Sequence, residues 1–132
     1  MKTREYSEDD LYYINLWLSQ RERAPVGRDE LPRAGWTVVN ELDRPVGCVF
    51  LRIVEGDLAI IDSLINDPAQ NCHSRHQIND RLFLQCFKVA KETKLKGLMG
   101  TSLDAGTLER AFGHGFKAMP QTFAMWTNQE IK

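Results

Sequence analysis

The spacing of hydrophobic positions predicts a strand and a helix at the start of the chain. Residues 3–6 have the composition of a short strand. Ser7 then stands at a helix N-cap position and is followed by acidic side chains, which the positive end of a helix favours. Apolar residues recur at helical spacing over residues 8–20. We therefore expect an amphipathic helix there, with an apolar face that covers a sheet.

The middle of the chain has the pattern of an antiparallel meander. Residues 21–35 combine charges with proline and glycine and show no steady period, which indicates a loop or a broken second helix. Two β-branched runs then flank a turn at residues 43–45, and a second turn at residues 55–57 leads into a third apolar run. Three successive strands joined by short turns are expected to pair antiparallel.

A change of period in the second half predicts the longest helix. From about Arg75 the apolar positions follow helical spacing, and this pattern ends near residues 93–97. Residues 98–103 are then typical of a strand and residues 105–113 of a short helix. Residues 116–126 have the pattern of a last, bent strand.

The order of these elements predicts an α/β fold in which helices flank a central mixed sheet. The long helix joins two strands in a parallel crossover, whereas the earlier strands are antiparallel. Ligands tend to bind beyond the carboxyl ends of parallel strands. This rule places the candidate site just after Ile65 and just after Leu103.

Composition and charge restrict the classes of function. The chain has 132 residues, of which 42% are hydrophobic and 27% charged, as expected for one soluble domain over residues 1–132. Its net charge of -1 supplies no overall attraction for nucleic acid or anionic membranes. Its apolar runs are far shorter than the roughly 20 residues of a membrane helix. The polar first segment and an odd set of 3 cysteines favour a cytoplasmic protein with reduced thiols.

A short cluster of Cys72, His73 and His76 has side chains that suit zinc. Only these potential ligands lie close together in the sequence, and no second cysteine pair completes a structural zinc site. A solvated loop with a histidine pair is the preferred interpretation. We therefore expect no metal.

Four segments carry a resemblance to a known family: DSLINDP, SRHQINDRL, KLKGLMGTS and DAGTLERAFGHGF. In this order and spacing they resemble the GNAT superfamily of N-acetyltransferases, and most closely the small GNAT-like proteins of tailed phages. The resemblance covers nearly the whole chain. It implies a GNAT-like acyl-CoA N-acyltransferase fold and acetyl-CoA as co-substrate.

In the resembled family, the loop after the fourth strand presents helix N–H groups to the pyrophosphate of acetyl-CoA. The family usually has two glycines in this turn, and Gln77 and Asn79 occupy their places here. Arg75 and His76 lie beside the turn, where an arginine can pair with a phosphate. The residues that the resemblance implies for cofactor binding are Leu64, Ile65, Arg75, His76, Gln77, Ile78, Asn79, Asp80 and Asp104.

This sequence lacks one of the catalytic residues that are usual in the resembled family. Ala111 occupies the place of the tyrosine that protonates the CoA thiolate, which leaves water or His114 to supply the proton. Amine acetylation also requires a neutral amine, and Asp62 is our candidate base because a carboxylate buried in so apolar a strand would bind a proton more readily. A structural carboxylate that accepts hydrogen bonds from loop amides is an equal alternative.

Two functions from different classes fit this sequence. The first is an acetyl-CoA-dependent N-acetyltransferase that acts on a small-molecule or peptide amine, with the thioester carbonyl polarised by backbone N–H groups near Ile65. The second is a catalytically inactive GNAT-fold binding protein or virion-associated phage protein, which the residues at the glycine and tyrosine places favour. A free sheet edge at the last strand would also permit a homodimer.

Overall fold

A computed structural model describes residues 1–102 and 105–119 of the chain. Its strands are β1 (Lys2–Glu5), β2 (Ala34–Val39), β3 (Pro45–Val54), β4 (Leu58–Asn66) and β5 (Gly97–Gly100). Its helices are α1 (Leu11–Gln20), α2 (Cys72–Glu92) and α3 (Ala105–Gly113). Short 3₁₀ turns at Glu8–Asp10 and Arg28–Glu30 precede α1 and β2 respectively.

The five strands form one mixed sheet in the order β1-β2-β3-β4-β5. The pairs from β1 to β4 are antiparallel, and β4 pairs with β5 in parallel from Leu58 opposite Gly97 to Ile61 opposite Gly100. The predicted meander and the predicted parallel crossover are therefore both confirmed. The crossover helix is α2, which packs against β2, β3 and β4.

A β-bulge interrupts the regular pairing of β3 with β4. Phe50 lies opposite Ser63 and Leu51 lies opposite Ile61, so Asp62 is an extra residue on β4. Residues three apart in a regular strand point to opposite faces. Because of the bulge, Ile61 and Leu64 instead both pack against the α2 side of the sheet.

The α2 side of the sheet holds the larger core. The sheet contributes Val38, Val46, Val49 and Leu51, and the helix contributes Ile78, Leu82, Cys86 and Val89. Gly47 lets α2 approach the sheet closely, because a Cβ atom at this position would overlap Cγ2 of Ile78. The Ile78 side chain of α2 therefore packs directly against the backbone of β3 at Gly47.

The opposite side of the sheet is covered by α1 and by part of the segment that follows it. Ile14 and Trp17 pack against Cys48 and Phe50, and Val26 from the connecting segment packs against this cluster. The Asn15 side chain holds Val26 by accepting from its amide at 2.9 Å and donating to its carbonyl at 3.1 Å. The predicted loop over residues 21–35 is therefore anchored to α1.

The element boundaries depart from the sequence prediction at several places. The strand predicted over residues 98–103 is β5 at Gly97–Gly100, and β2 begins at Ala34, inside the predicted loop. The helix expected over residues 8–20 opens with a 3₁₀ turn, and α1 itself begins at Leu11. The helix expected from about Arg75 begins at Cys72, because Asn71 is its N-cap. Residues 116–119 are not in a strand, and the remainder of the predicted last strand lies outside the described residues.

Candidate functional site

The candidate site lies where β4 separates from β5. Pairing of these strands stops at Ile61 and Gly100, whereas β4 continues beside β3 to Asn66. Within residues 1–102 and 105–119, residues 62–66 therefore have a backbone edge without a neighbouring strand on the β5 side. We call residues 62–66 the free segment of β4. The N–H and C=O groups of such an edge are available to a ligand.

A tight turn links the free segment to the start of α2. The amide of Asp67 donates to the carbonyl of Val46 at 2.9 Å, and the Asp67 carboxylate accepts from the amide of Ala69 at 2.9 Å. Oδ1 of Asn71 then accepts from the amide of Ser74 at 2.8 Å and caps α2. These bonds hold the start of α2 next to the end of β4.

The first turn of α2 offers hydrogen-bond donors to an anion. The first N–H groups of a helix have no carbonyl partner within it and lie at the positive end of the helix dipole. The amide of Ser74 donates to the side chain of Asn71, so the amides of Cys72 and His73 are the ones that can donate to a ligand. Arg75 adds a half-buried guanidinium whose Nε is buried without a hydrogen-bond partner among the described residues. This combination is suited to a phosphate-like group.

A cleft of about 360 Å³ separates the second turn of α2 from α3. His76 lines it from α2, and α3 contributes Gly106, Glu109, Arg110 and Gly113. The cleft was not foreseen from the sequence, since it arises from the packing of two helices that are separated along the chain by β5.

Asp80 joins α2 to the end of α3 beside this cleft. Its Oδ1 lies 2.9 Å from Nε2 of His114, and its Oδ2 lies 3.5 Å from Nη1 of Arg110. The His114 ring also packs against Phe83, with 5.3 Å between ring centroids. The four-residue spacing of Arg110 and His114 is the signal in the sequence for their joint contact with one partner.

The chain is similar to solved structures in its fold. No family model and no curated protein matches the chain. An acetyltransferase from Trypanosoma brucei matches with a TM-score of 0.70 at 14% identity, over 96% of this chain and 99% of that one. A GNAT-family acetyltransferase from Staphylococcus aureus matches with a TM-score of 0.67 at 14% identity, over 96% of this chain and 94% of that one. The chain has the GNAT acetyltransferase fold.

A further match is a Mycobacterium tuberculosis protein whose structure was solved in complex with CoA and NLQ. Its TM-score is 0.69 at 23% identity, over 95% of this chain and 76% of that one. The expected mixed sheet flanked by helices is thus confirmed as a GNAT fold. At such identities the likeness concerns the fold alone.

On this GNAT fold, the residues predicted to bind the cofactor from α2 have different surroundings. Arg75, His76 and Gln77 lie in the first two turns and are half-buried or exposed. Sγ of Cys72 lies 3.5 Å from Nε2 of His76, one turn further along. Of these residues, Arg75 is the one with an unpartnered buried nitrogen.

Ile78, Asn79 and Asp80, which were also predicted to bind the cofactor, have side chains that contact other parts of the protein. Ile78 is fully buried in the core between α2 and the sheet. Asn79 is 7% exposed and accepts a hydrogen bond from Asn66. Asp80 contacts α3. Because α2 begins at Cys72, the amides of Gln77 and the three following residues also lie inside the helix, where they donate to carbonyls four residues earlier.

Leu64 and Ile65, which were predicted to bind the cofactor, lie on the free segment of β4. Leu64 packs towards α2 and Ile65 towards α1, and both are half-buried. Their backbone edge is therefore the part available to a ligand. Asp104, the remaining predicted cofactor residue, lies outside the described residues.

Asp62, the candidate base, does not have the burial that would favour its protonated form. The residue is exposed, and its Oδ2 accepts from Arg52 at Nε and Nη2, at 3.0 and 2.5 Å. Arg52 lies two residues beyond Phe50 on β3 and therefore on the same face, beside the bulge that Asp62 forms. The alternative expectation, that loop amides bind Asp62, is also replaced by this ion pair.

Residues 1–102 and 105–119 contain no group of three or more His, Cys, Asp or Glu side chains that could hold a metal ion. In the same residues, no helix is long and apolar enough to cross a membrane.

Proposed function

We propose that the protein is an acetyl-CoA-dependent N-acetyltransferase. The observation that carries the proposal is the free segment of β4 beside the available amides of Cys72 and His73 at the start of α2, in a fold that acetyltransferases share. The proposed acceptor is an amine of a small molecule or a peptide. A neighbour of this fold was solved with CoA, which supports acyl-CoA as the co-substrate.

The phosphates of CoA are proposed to bind at the first turn of α2. The amides of Cys72 and His73 point along the helix dipole, and Arg75 has a buried Nε that lacks a partner among the described residues. A buried donor without a partner costs free energy, and a phosphate oxygen would satisfy it. The net charge of -1 means that such local groups must provide the attraction.

The acyl arm is proposed to lie along the free segment of β4 as a missing strand would. Backbone N–H groups near Ile65 would then donate to the thioester oxygen and stabilise the negative charge that develops there. The amine nitrogen attacks the carbonyl carbon and the carbon–sulfur bond breaks. The products are the amide and CoA thiol, which takes the proton that the amine loses.

Asp62 remains the proposed proton acceptor for the amine, now as an exposed carboxylate at the bulge beside the free segment. Its ion pair with Arg52 orients it, since two guanidinium nitrogens share one carboxylate oxygen. Exposure allows proton transfer through water.

The proposal is tested by calorimetry with acetyl-CoA and by measuring thiol release with a panel of amines. We expect binding, and turnover with at least one amine. Arg75→Gln should raise the Kd for acetyl-CoA about tenfold, because it removes a charged donor. Asp62→Asn should lower kcat about a hundredfold with little change in Kd.

Arg81→Gln is the matched control, because Arg81 is exposed further along α2. It should leave Kd unchanged. Absence of heat and of a thermal shift with millimolar acetyl-CoA overturns the proposed function.

A second candidate is a GNAT-fold binding protein without catalysis, which the sequence analysis linked to phage virions. Ala111 lies in α3 at the place of the family's tyrosine and cannot donate a proton, which favours this candidate. Tight binding of CoA without turnover of any amine would support it. The resemblance to phage-encoded proteins stays a prediction.

A further inference from the structure

Three polar side chains from separate elements meet at the end of β4. Arg21 is the C-cap residue that follows α1, Asn66 is the last residue of β4, and Asn79 lies in the second turn of α2. We call these three residues the Asn66 network.

In this network, Asn66 is held by hydrogen bonds from Arg21 on one side and to Asn79 on the other, an arrangement that we call a clamp. Nη1 of Arg21 donates to the backbone carbonyl of Asn66 and Nη2 donates to its side-chain oxygen, each at 2.7 Å. Nδ2 of Asn66 donates to Oδ1 of Asn79 at 3.0 Å. Hydrogen bonds with a charged donor are shorter and stronger than neutral ones, so the contact with Arg21 is the stronger half of the clamp.

The position of Asn66 explains why a clamp is useful there. The free segment of β4 is paired with β3 on one side and, among the described residues, with no strand on the other. Strand ends held on one side open locally at low free-energy cost. Asn66 is the last paired residue of this segment, opposite Gly47, so fixing it fixes the direction in which the segment leaves the sheet.

We propose that the Asn66 network holds the free segment of β4 apart from β5 and thereby positions it for the acyl group. Arg21 and Asn79 are then positioning residues for the proposed acetyl transfer, and this part of the inference rests on the proposed function. Asn79 acts through its side-chain oxygen, which accepts a hydrogen bond from Asn66. This contact is a role for the side chain at a position where the resembled family has glycine.

The network also connects the segment after α1 to the site. The next residues, 22–33, continue from Arg21 and are anchored at Val26 by Asn15. A movement of this segment would therefore be transmitted to the end of β4 through the guanidinium of Arg21.

The experiment compares the wild type with Arg21→Gln and Arg21→Lys, and with Arg23→Gln as matched control. Arg23 is exposed two residues away, so its replacement makes the same charge change in the same segment. Hydrogen–deuterium exchange of the peptide that covers residues 62–66 is measured first, because it needs no ligand. The Kd for acetyl-CoA and the melting temperature are measured on the same samples.

We expect exchange in residues 62–66 to be about tenfold faster in Arg21→Gln than in the wild type, with the wild-type rate in Arg23→Gln. The Kd for acetyl-CoA should rise about tenfold in Arg21→Gln. Arg21→Lys keeps the cation near the Asn66 carbonyl and should restore part of both effects. A merely destabilising substitution would instead raise exchange throughout the sheet.

Equal exchange of residues 62–66 in Arg21→Gln and Arg23→Gln overturns the proposal, whatever the affinity for acetyl-CoA. Faster exchange with an unchanged Kd overturns the positioning role. A wild-type protein that binds no acetyl-CoA overturns the proposed function, and the exchange comparison still decides whether the network holds the strand.

Discussion

At the scale of single residues, Asp10 shows how a buried charge can be fully compensated. The residue is 1% exposed. Its carboxylate accepts from both terminal nitrogens of Arg4 at 2.8 Å, from the amide of Ser7 at 2.9 Å and from the hydroxyl of Thr37 at 2.8 Å. Burial alone raises the pKa of Asp10, but these hydrogen bonds outweigh it and the pKa lies below the usual value of 3.8. These hydrogen bonds join β1, the 3₁₀ turn before α1, and β2.

Asp10→Asn should therefore destabilise the protein in a pH-dependent way. We expect a loss of about 1–3 kcal/mol near neutral pH, because the charge-assisted bonds from Arg4 are weakened. A lowered native pKa stabilises the fold above the unfolded pKa, and this contribution is lost as pH falls through the native pKa. The difference in unfolding free energy between wild type and variant should thus shrink below about pH 4. Urea unfolding at several pH values measures it.

Asp9→Asn is the matched control for this prediction, since Asp9 is the exposed neighbour. It should change the unfolding free energy by less than about 0.5 kcal/mol. A constant effect of Asp10→Asn from pH 7 to pH 3 would contradict the proposed charge dependence.

The same residue scale shows where sequence reasoning stops. The sequence analysis interpreted the acidic residues after Ser7 as a favourable helix start, and they do lie in the first turn there. That interpretation could not tell which of them is buried, and the structure shows that it is Asp10. Asp62 illustrates the converse, because it has apolar neighbours along β4 and yet lies exposed at a β-bulge, where it pairs with Arg52. Bulges depend on the partner strand, so a single strand's pattern does not reveal them.

At the scale of elements, the start of α2 decides which groups face the candidate site. The hydrophobic pattern of this helix begins at Ile78, because its first turns are polar, and a prediction from periodicity therefore begins too late. Asn71 as an N-cap was the available signal for the true start. The correct start moves the available amides from the region of Gln77 to Cys72 and His73.

The close fit of α2 to the sheet gives an element-scale prediction. Gly47→Ala should lower the unfolding free energy by about 1–3 kcal/mol, because the new Cβ overlaps Ile78 and the helix has to shift. Gly113→Ala, in α3, is the control: a Cβ there has nothing within 4 Å. Thermal or urea unfolding compares the two. Equal stability of both variants would contradict the fit described here.

At the scale of the whole molecule, much of the architecture was accessible from the sequence and the contacts between distant segments were not. The meander and the crossover follow from local period and turn chemistry at residues 43–45 and 55–57. The contact of Arg21 with Asn66 joins residues 45 positions apart, and no local pattern indicates it. The cleft between α2 and α3 is equally a product of tertiary packing.

The distribution of the 3 cysteines gives a prediction for the whole molecule. Cys48 and Cys86 are buried, and burial raises the pKa of the Cys48 thiol and of the Cys86 thiol to about 12, whereas Cys72 is exposed. An aromatic disulfide reagent at pH 8 should therefore modify one thiol quickly in the native protein and the other two only after unfolding. Cys72→Ser should abolish the fast phase. Rapid modification of a second thiol would contradict the burial described.

The strand order also has a consequence for folding. Because the strands lie side by side in the order in which they occur along the chain, β2, β3 and β4 can pair through short turns as each is made. Contacts between segments close in sequence form faster than distant ones, since less loop entropy is lost. We expect this three-stranded unit to form early, and β5 to join last, since its parallel pairing has to wait until the whole of α2 has packed across the sheet.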